Sequence, residues 1–501
     1  MIVAKVTSNT QYNIMEEILE VKTGYEAGLK EYVDRERAAV DLNNSVGQLM
    51  YGKGVELVFF RNHLLDIGTS EVLNLFNYAE QVVKKPIDIY TSREIARDLL
   101  DLDLAPSKLD IGRLTHEFLT AKPKPASTKE FLKTTLHGFI GQDKHKFEPR
   151  DVVLYGFGRI GRIAARELVK QAGKGQQLRL RAIVTRTLSD EEIVKRAALL
   201  RNDSVHGAFK GTVTEDLKNK ALWINGQMVQ LIAANNPEDI DYTSYGINDA
   251  LVIDNTGAFT KRTDLERHLK AKGVGKVILT APGKEIPNVV YGINHSDLDL
   301  EGEKIFSAAS CTTNAICPIL KVMEDKVGIE KGHIETVHAY TNDQNLLDNY
   351  HKKPRRGRSA AINMVITSTG AGSAVTKAIP SLKDKLTANA VRVPTPNGSL
   401  AIMNLTLNKK VTLEEVNEFV RHAALNGDLV NQIHYQIDPE LVSSDIIGDT
   451  CCSVFDSNAT IVSPDGKNVV LYAWYDNEFG YTKQVIRLAK HVARVRRLIY
   501  Y

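Results

Sequence analysis

Cysteine is scarce in this chain: Cys311, Cys317, Cys451 and Cys452 are four among 501 residues. So few cannot build a disulfide framework, and none shows the paired CxxC spacing of a structural zinc site. No metal is expected, and a reducing cytoplasm is the expected compartment. An excess of charge of one sign is missing too. A formal net charge of +3 makes no electrostatic case for nucleic acid as a partner. No apolar run approaches the roughly 18 residues of a membrane span. The first residues, MIVAKVTSNTQ, lack the long apolar stretch of a secretory signal. Neither a membrane nor export is expected. Internal repeats and long low-complexity segments are also absent. What is present, 43% hydrophobic and 25% charged residues, is the composition of a globular protein. The length calls for two or three domains.

Three textures follow one another along the chain. Apolar spacing in MEEILEVKTGYEAGLKEYV and EVLNLFNYAEQVVKK predicts a mainly helical region up to about residue 120. A linker is expected near 121–129, where AKPKPASTK carries two prolines, and KEFLKTTLHGFIG after it predicts a short helix. From Asp151 strands and helices alternate: VVLYGFG, RIGRIAARELVKQ, LRLRAIVTR, ALVIDNTG and KVILTAPG. That alternation predicts a parallel α/β sheet with ligand groups at the carboxyl ends of its strands. Beyond Cys311 strand-like runs recur at HIETVHAYT, ANAVRVPTP, SLAIMNLTL and NVVLYAWYD, which predicts an α+β domain. The final stretch, TKQVIRLAKHVARVRRLI, has helical spacing. The expected plan is a helical extension over 1–149, a dinucleotide-binding domain over 150–310 completed by a C-terminal helix 482–501, and a catalytic domain over 311–481.

Three glycines mark the start of the α/β region. Gly156, Gly158 and Gly161, in Gly156-Phe157-Gly158-Arg159-Ile160-Gly161, follow a strand and open a helix. The first suits a tight turn, the second a close approach to a pyrophosphate, and the third close helix–strand packing. The pattern alone is weak, but this context favours a dinucleotide loop of Rossmann type over an ordinary turn. NAD sites usually place a carboxylate near the end of the second strand. Here the strand ends Ile183-Val184-Thr185-Arg186, with no carboxylate before Asp190. Arg186 suits a 2′-phosphate, and equally a solvated surface, so NAD and NADP both stay open.

Cys311 stands in Ser310-Cys311-Thr312-Thr313-Asn314. A free cysteine is commonly a small buried hydrophobe. This one has hydroxyls and an expected helix N-terminus around it, which would stabilise a thiolate and later an oxyanion. Cys317, Cys451 and Cys452 suit packing. His338, in Val337-His338-Ala339, is the candidate base for Cys311, although a lone histidine is more often structural. A nucleophilic thiol beside a nicotinamide implies oxidation of an aldehyde through a thioester. The basic run Lys352 to Arg358 reads as a solvated loop or, with Ser368-Thr369-Gly370 and Arg392, as a phosphate site.

LYGFGRIGR, SAASCTTNAICP, ETVHAYT, STGAGSAVTK, VRVPTPN and WYDNEFGYT occur in this order. From about Asp151 to the C-terminus the chain resembles the phosphorylating glyceraldehyde-3-phosphate dehydrogenases. The resemblance implies Cys311 as nucleophile and His338 as base. It implies a cofactor loop of Gly156, Phe157, Gly158, Arg159, Ile160 and Gly161, with Thr256 and Gly257 in a second turn beside the cofactor. Asn477 would bond the nicotinamide carboxamide, with Tyr481 packed near it. Ser310, Thr312, Thr369 and Gly370 would bind inorganic phosphate, and Thr341 and Arg392 the substrate's own phosphate. A phosphorylated aldehyde, inorganic phosphate, NAD or NADP, and a homotetramer are implied with them.

Three departures stand against the family pattern. The Thr185-Arg186 pair replaces an acidic residue. Asp343 stands where a threonine is common, and would repel a phosphate unless turned away or paired with a cation. It leaves open another aldehyde, such as erythrose 4-phosphate. The third departure is the extension of about 150 residues, which shows no P-loop, metal spacing or nucleotide fingerprint. It reads as a packing or oligomerisation module, or as a regulatory one, in which case the chain could be a scaffold that keeps the fold.

Overall fold

The computed structural model describes residues 8–141, 147–170 and 173–501, with side chains from residue 24 onward. Most of the segment read for a signal, 1–7, and Gln171, at the end of a predicted helix, lie outside the described residues. The chain divides into two units, Met1–Lys146 with Arg497–Tyr501, and Phe147–Arg496.

The first unit is mainly helical, as its apolar spacing predicts. It contains α1 (Ser8–Lys53), β1 (Glu56–Phe59), β2 (Asn62–His63), α2 (Thr69–Tyr78), α3 (Ile89–Asp101), β3 (Ser107–Asp110), α4 (Ile111–Thr120) and α5 (Thr128–Thr135). Ala38, Ala39, Leu42, Val46, Leu49 and Met50 line one buried face of α1, which packs on α2 and α3. The expected linker is shorter than its composition suggested, because Ser127 caps α5 by accepting from the Glu130 N–H.

Helical spacing did not reveal a four-stranded sheet in this unit, ordered β2, β1, β3 and the C-terminal strand Leu498–Tyr500. That strand corrects the expected helix 482–501. The helix stops at Val492, Arg494 turns the chain with φ 58°, and residues 498–500 pair in parallel with β3. Short apolar runs fit helix and strand alike, and the open edge of β3 selects the strand. Burial alone would raise the Glu56 carboxyl, but Lys108, His63 and Arg497 hold it well below its ordinary range.

The second unit opens with β4 (Arg150–Tyr155), α6 (Arg159–Val169), β5 (Leu178–Thr185) and α7 (Asp190–Arg201). A two-stranded ladder, β6 (Asn202–Asp203) and β7 (Gly207–Ala208), comes next, then β8 (Val213–Asp216), β9 (Ala221–Ile224), β10 (Gln227–Ala233), β11 (Ala250–Asp254), α8 (Arg262–Lys270), β12 (Val274–Leu279) and β13 (Ile305–Ser307). The sheet order is β13-β12-β11-β4-β5-β10-β9-β8, parallel from β13 to β10 and antiparallel at the β9–β8 edge. Strand order reverses at β4, so the carboxyl ends of β4, β5 and β11 frame the crevice where such sheets bind ligands.

The chain then adds α9 (Cys311–Val327), β14 (Ile329–Ala339), β15 (Val365–Thr367), α10 (Ala371–Ala378), β16 (Leu386–Val393), β17 (Ser399–Leu407) and α11 (Leu413–Leu425). It closes with β18 (Ile433–Gln436), β19 (Ser453–Asp456), β20 (Ile461–Val462), β21 (Asn468–Tyr475) and α12 (Phe479–Val492). These strands form a mixed sheet ordered β15-β16-β14-β17-β21-β19-β18, with β20 on β21. Helix α9 packs on β21 and β19. The chain thus has the predicted parallel α/β sheet followed by a separate sheet with helices.

Candidate active site

At the crevice the three glycines differ as their geometry requires. Gly156 has φ 94°, and a Cβ there would press on Thr256 at 3.0 Å. A Cβ on Gly161 would lie 2.5 Å from the Gly156 carbonyl, too close to exist. A Cβ on Gly158 would meet nothing within 4 Å. Open space therefore faces Gly158, the N-cap of α6, where the first N–H groups of the helix can receive a phosphate. Asn255 adds a buried Oδ1 that has no partner among the described residues. These features fit a dinucleotide.

Phe157 and Ile160 turn into the core. The Arg159 guanidinium is held by Asp203 at 3.1 Å and by both oxygens of Glu478. Its backbone N–H is therefore the group it can offer a ligand. Thr256 binds Asp254 through its N–H and hydroxyl at 2.8 and 2.7 Å, and Gly257 follows with φ 66°. Arg186 is exposed just past the end of β5.

The thiol site begins two strands beyond the Thr256–Gly257 turn, after β13. Ser310 caps α9 by accepting from the Thr313 N–H at 3.0 Å, which makes Cys311 the first helical residue. Asn314 ties the turn to the Ala308 and Ser310 carbonyls at 2.8 and 2.9 Å. Ala309, just before it, has φ 55°, a costly angle for a residue with a Cβ. Ser307 Oγ accepts its N–H at 3.0 Å, and the Tyr481 hydroxyl donates to its carbonyl at 2.9 Å.

Cys311 Sγ lies 3.5 Å from His338 Nε2, at the end of β14. His338 and Arg392 are register partners on the parallel strands β14 and β16. Arg392 Nη1 reaches His338 Nδ1 at 2.9 Å and donates to the Ala339 carbonyl at 2.8 Å. The two contacts of Nδ1 are alternatives: Arg392 can donate only to an Nδ1 lone pair, whereas an Nδ1 proton donates to the Ala339 carbonyl at 2.7 Å and leaves a lone pair on Nε2 facing the sulfur. Burial, aided by the nearby Arg392 charge, brings the His338 pKa down to about 3. Burial pushes the Cys311 thiol up, while Arg392 pulls the other way. Both shifts favour thiol and neutral imidazole over a thiolate–imidazolium pair.

Thr312, Asn477 and Arg392 connect to this pair through Tyr475, Ser399 and the Ala339 backbone, whereas no hydrogen bond among the described residues joins Thr341, Thr369 or Gly370 to it. Thr312 shares a hydrogen bond of 3.0 Å with the Tyr475 hydroxyl, and the Tyr475 ring meets His338 edge-on, centroids 5.8 Å apart. Asn477 Oδ1 accepts from Ser399 Oγ at 2.8 Å, which fixes the orientation of its amide. Ser399 Oγ also accepts the Ala339 N–H at 3.1 Å. Arg392 Nε is a buried donor with no partner among the described residues. Thr341 lies two residues beyond the end of β14. Thr369 and Gly370 precede α10, with the Thr369 hydroxyl accepting the Ala371 N–H at 3.2 Å. The Arg159–Glu478 pair ties the glycine turn to the residue beside Asn477. Asp343 is paired with the buried Arg356, so its charge is answered.

Sequence reasoning missed Tyr475, Ser399 and Asn314. Tyr475 lies inside the WYDNEFGYT motif, and Asn314 inside SCTTN, so both were within sight. Ser399 had no local signal, and Arg356 was read only as part of the basic run, not as the partner of Asp343.

A parallel dinucleotide sheet joined to a buried thiol–imidazole pair with an adjacent guanidinium defines a nicotinamide-dependent oxidoreductase. Residues 150–262 match the glyceraldehyde 3-phosphate dehydrogenase NAD-binding domain, and residues 310–477 the C-terminal domain of the same enzymes. The chain belongs to the glyceraldehyde-3-phosphate dehydrogenase family, and its cofactor is NAD or NADP.

It is 40% identical over 349 residues to the glyceraldehyde-3-phosphate dehydrogenase of Clostridium pasteurianum, covering 69% of this chain and 98% of the relative. Glyceraldehyde-3-phosphate dehydrogenase 1 of Bacillus subtilis is 41% identical over 344 residues, 68% of this chain and 98% of its own. A glyceraldehyde-3-phosphate dehydrogenase-like protein of Pseudomonas aeruginosa is 47% identical over 454 residues, 90% of this chain and 98% of its own. That match is longer than Phe147–Arg496, so the likeness runs on into the first unit. Among the described residues no helix is long and apolar enough to cross a membrane.

Proposed function

We propose that this protein catalyses the phosphorylating oxidation of glyceraldehyde 3-phosphate to 1,3-bisphosphoglycerate, or the reverse, through a thioester on Cys311. The contact that carries this reading is Cys311 Sγ at 3.5 Å from His338 Nε2. His338, neutral and with its Nδ1–H on the Ala339 carbonyl, takes the thiol proton at Nε2. The sulfur then attacks the aldehyde carbon. The new oxyanion is met by the Cys311 N–H at the start of α9 and by the protonated His338. A bound nicotinamide dinucleotide supplies the hydride acceptor. His338 gives its proton to the oxyanion and takes it back as the hydride departs and the carbonyl re-forms as a thioester. Inorganic phosphate, held by Ser310, Thr312, Thr369 and Gly370, displaces the sulfur, which leaves Cys311 ready to be reprotonated. Thr341 and the unmatched Nε of Arg392 hold the substrate's own phosphate. In this division 150–310 binds the dinucleotide and 311–481 carries the chemistry.

Pairing of Asp343 with Arg356 removes the repulsion that favoured a different aldehyde. Steady-state kinetics decides: kcat/KM for glyceraldehyde 3-phosphate should exceed that for erythrose 4-phosphate, and turnover should require inorganic phosphate. An inverted ratio would assign the chain to the second aldehyde. Cofactor binding with no turnover of either would make it a scaffold.

NADP use is part of this reading. Carboxylates after β5 are engaged elsewhere, Asp190 by Lys220 at 2.5 Å and Glu192 by Thr187 and the Ser189 N–H. Arg186 is then the charge that meets the adenosine ribose. Arg186→Asp should move the preference toward NAD by about tenfold or more, which is roughly 1.4 kcal/mol. An unchanged NADP-to-NAD ratio of kcat/KM would remove Arg186 from the site. A homotetramer in the cytoplasm completes the reading. Exposed Leu346, Leu347, Tyr350, Ile362, Met364 and Ile366 support it, being an apolar patch that assembly would cover.

A further inference from the structure

Helix α1 carries two apolar stripes. One is the face already described, which packs inside its own unit. The other holds Tyr25, Leu29, Tyr32, Val33, Val40 and Tyr51, all exposed. At about 100° per residue these six share an arc roughly 100° wide, the width of a core-facing stripe. Glu36 is the one charge within it. Single exposed apolar residues are ordinary, but six aligned along one helix form a seam.

We propose that this seam pairs with the same seam of a second copy of the chain, the two α1 helices running antiparallel. Helix α1 has 46 residues, about 69 Å of rod, and its own unit covers only part of it. Residues 24–33 are exposed on every side, yet Val40 and Tyr51, beside the packed half, are still 55% and 58% exposed. An antiparallel pair centred near Tyr32 sets residues 24–33 of each helix against 30–39 of the other and brings Tyr25 up to Val40.

Charge supports the same direction. Glu26 and Arg37 flank the seam on one side, at nearly equal distances from its middle near Tyr32. Antiparallel pairing sets same flank against same flank, so Glu26 of each copy meets Arg37 of the other. A parallel pair would turn both toward the other flank, where Gly28 and Ala39 offer no charge. Arg37 has only a loose intrachain partner, Asp34 at 3.9 Å with its own side chain 78% exposed. At about 100 Å² per side chain, the ten apolar groups from Tyr25 to Val40 in a pair bury on the order of 1,000 Å², the lower bound of a specific interface. The arrangement is a closed twofold, as most homodimers are.

The full-length double variant Glu26→Cys/Arg37→Cys tests this directly. After mild oxidation, peptide mass spectrometry should find a disulfide joining position 26 to position 37 of another chain. Within one chain the two lie about 16 Å apart along the helix, beyond disulfide reach. Adding Leu29→Glu and Tyr32→Glu should reduce that crosslink at least about tenfold and leave turnover unaltered, because neither residue belongs to the enzyme site. No interchain disulfide, a 26–26 and 37–37 pattern, or a crosslink that survives the glutamates would each overturn the antiparallel seam. The crosslink needs no turnover, so it stands or falls separately from the proposed reaction.

Discussion

Cys311→Ser is expected to lower kcat for aldehyde- and phosphate-dependent cofactor reduction by at least about 10³-fold, which is roughly 4 kcal/mol of barrier. Serine keeps the size of the side chain and the Ser310 cap, so α9 and the turn behind it should persist. What it loses is a nucleophile that ionises within reach of a neutral imidazole. Burial already pushes the thiol above its ordinary range, and a hydroxyl ionises far less readily still. Cofactor affinity, measured by fluorescence titration, should change little. Turnover close to that of the parent would end the thioester mechanism.

His338→Asn should cost about 10²- to 10⁴-fold in kcat, the usual worth of a positioned general base. Asparagine can keep a bond to the Ala339 carbonyl but accepts no proton. The pH profile gives the sharper readout. With a pKa brought down to about 3, His338 stays neutral at every pH where the enzyme would be assayed. The parent's kcat/KM should therefore show no step near the ordinary histidine value, and should rise toward alkaline pH as Cys311 ionises. The sign follows from the species required: a neutral base is available throughout, and the thiolate fraction grows with pH. The variant should keep the alkaline rise with its whole profile lowered. A histidine-like step near pH 6.5 in the parent would mean that the imidazole is less buried, or less influenced by Arg392, than its contacts indicate.

The same contacts explain why Arg392 matters twice. It lies beside His338 because β14 and β16 run in parallel with these two residues in register. One of its nitrogens secures the Ala339 carbonyl that orients the imidazole, and Nε is left for an anion. Loss of Arg392 would thus disturb proton transfer and phosphate binding together.

Local order was legible because its physics is local. The roles of Gly156, Gly158 and Gly161 follow from where a Cβ can and cannot fit. The strands that end in Ala339, Val393 and Tyr475 announce themselves as short strand-like runs. Ser310 is a cap by residue type and position. Tertiary structure alone decided the rest, since it depends on groups far apart in the chain. It brought His338 to Cys311, matched Asp343 with Arg356, and held both oxygens of Glu478 against Arg159. It also drew the last residues out of a helix, because an open strand edge in the first unit offered hydrogen bonds that α12 could not. Desolvation acts the same way: burial is a property of the assembled site, and it opposes the thiolate that the SCTTN motif favours at Cys311.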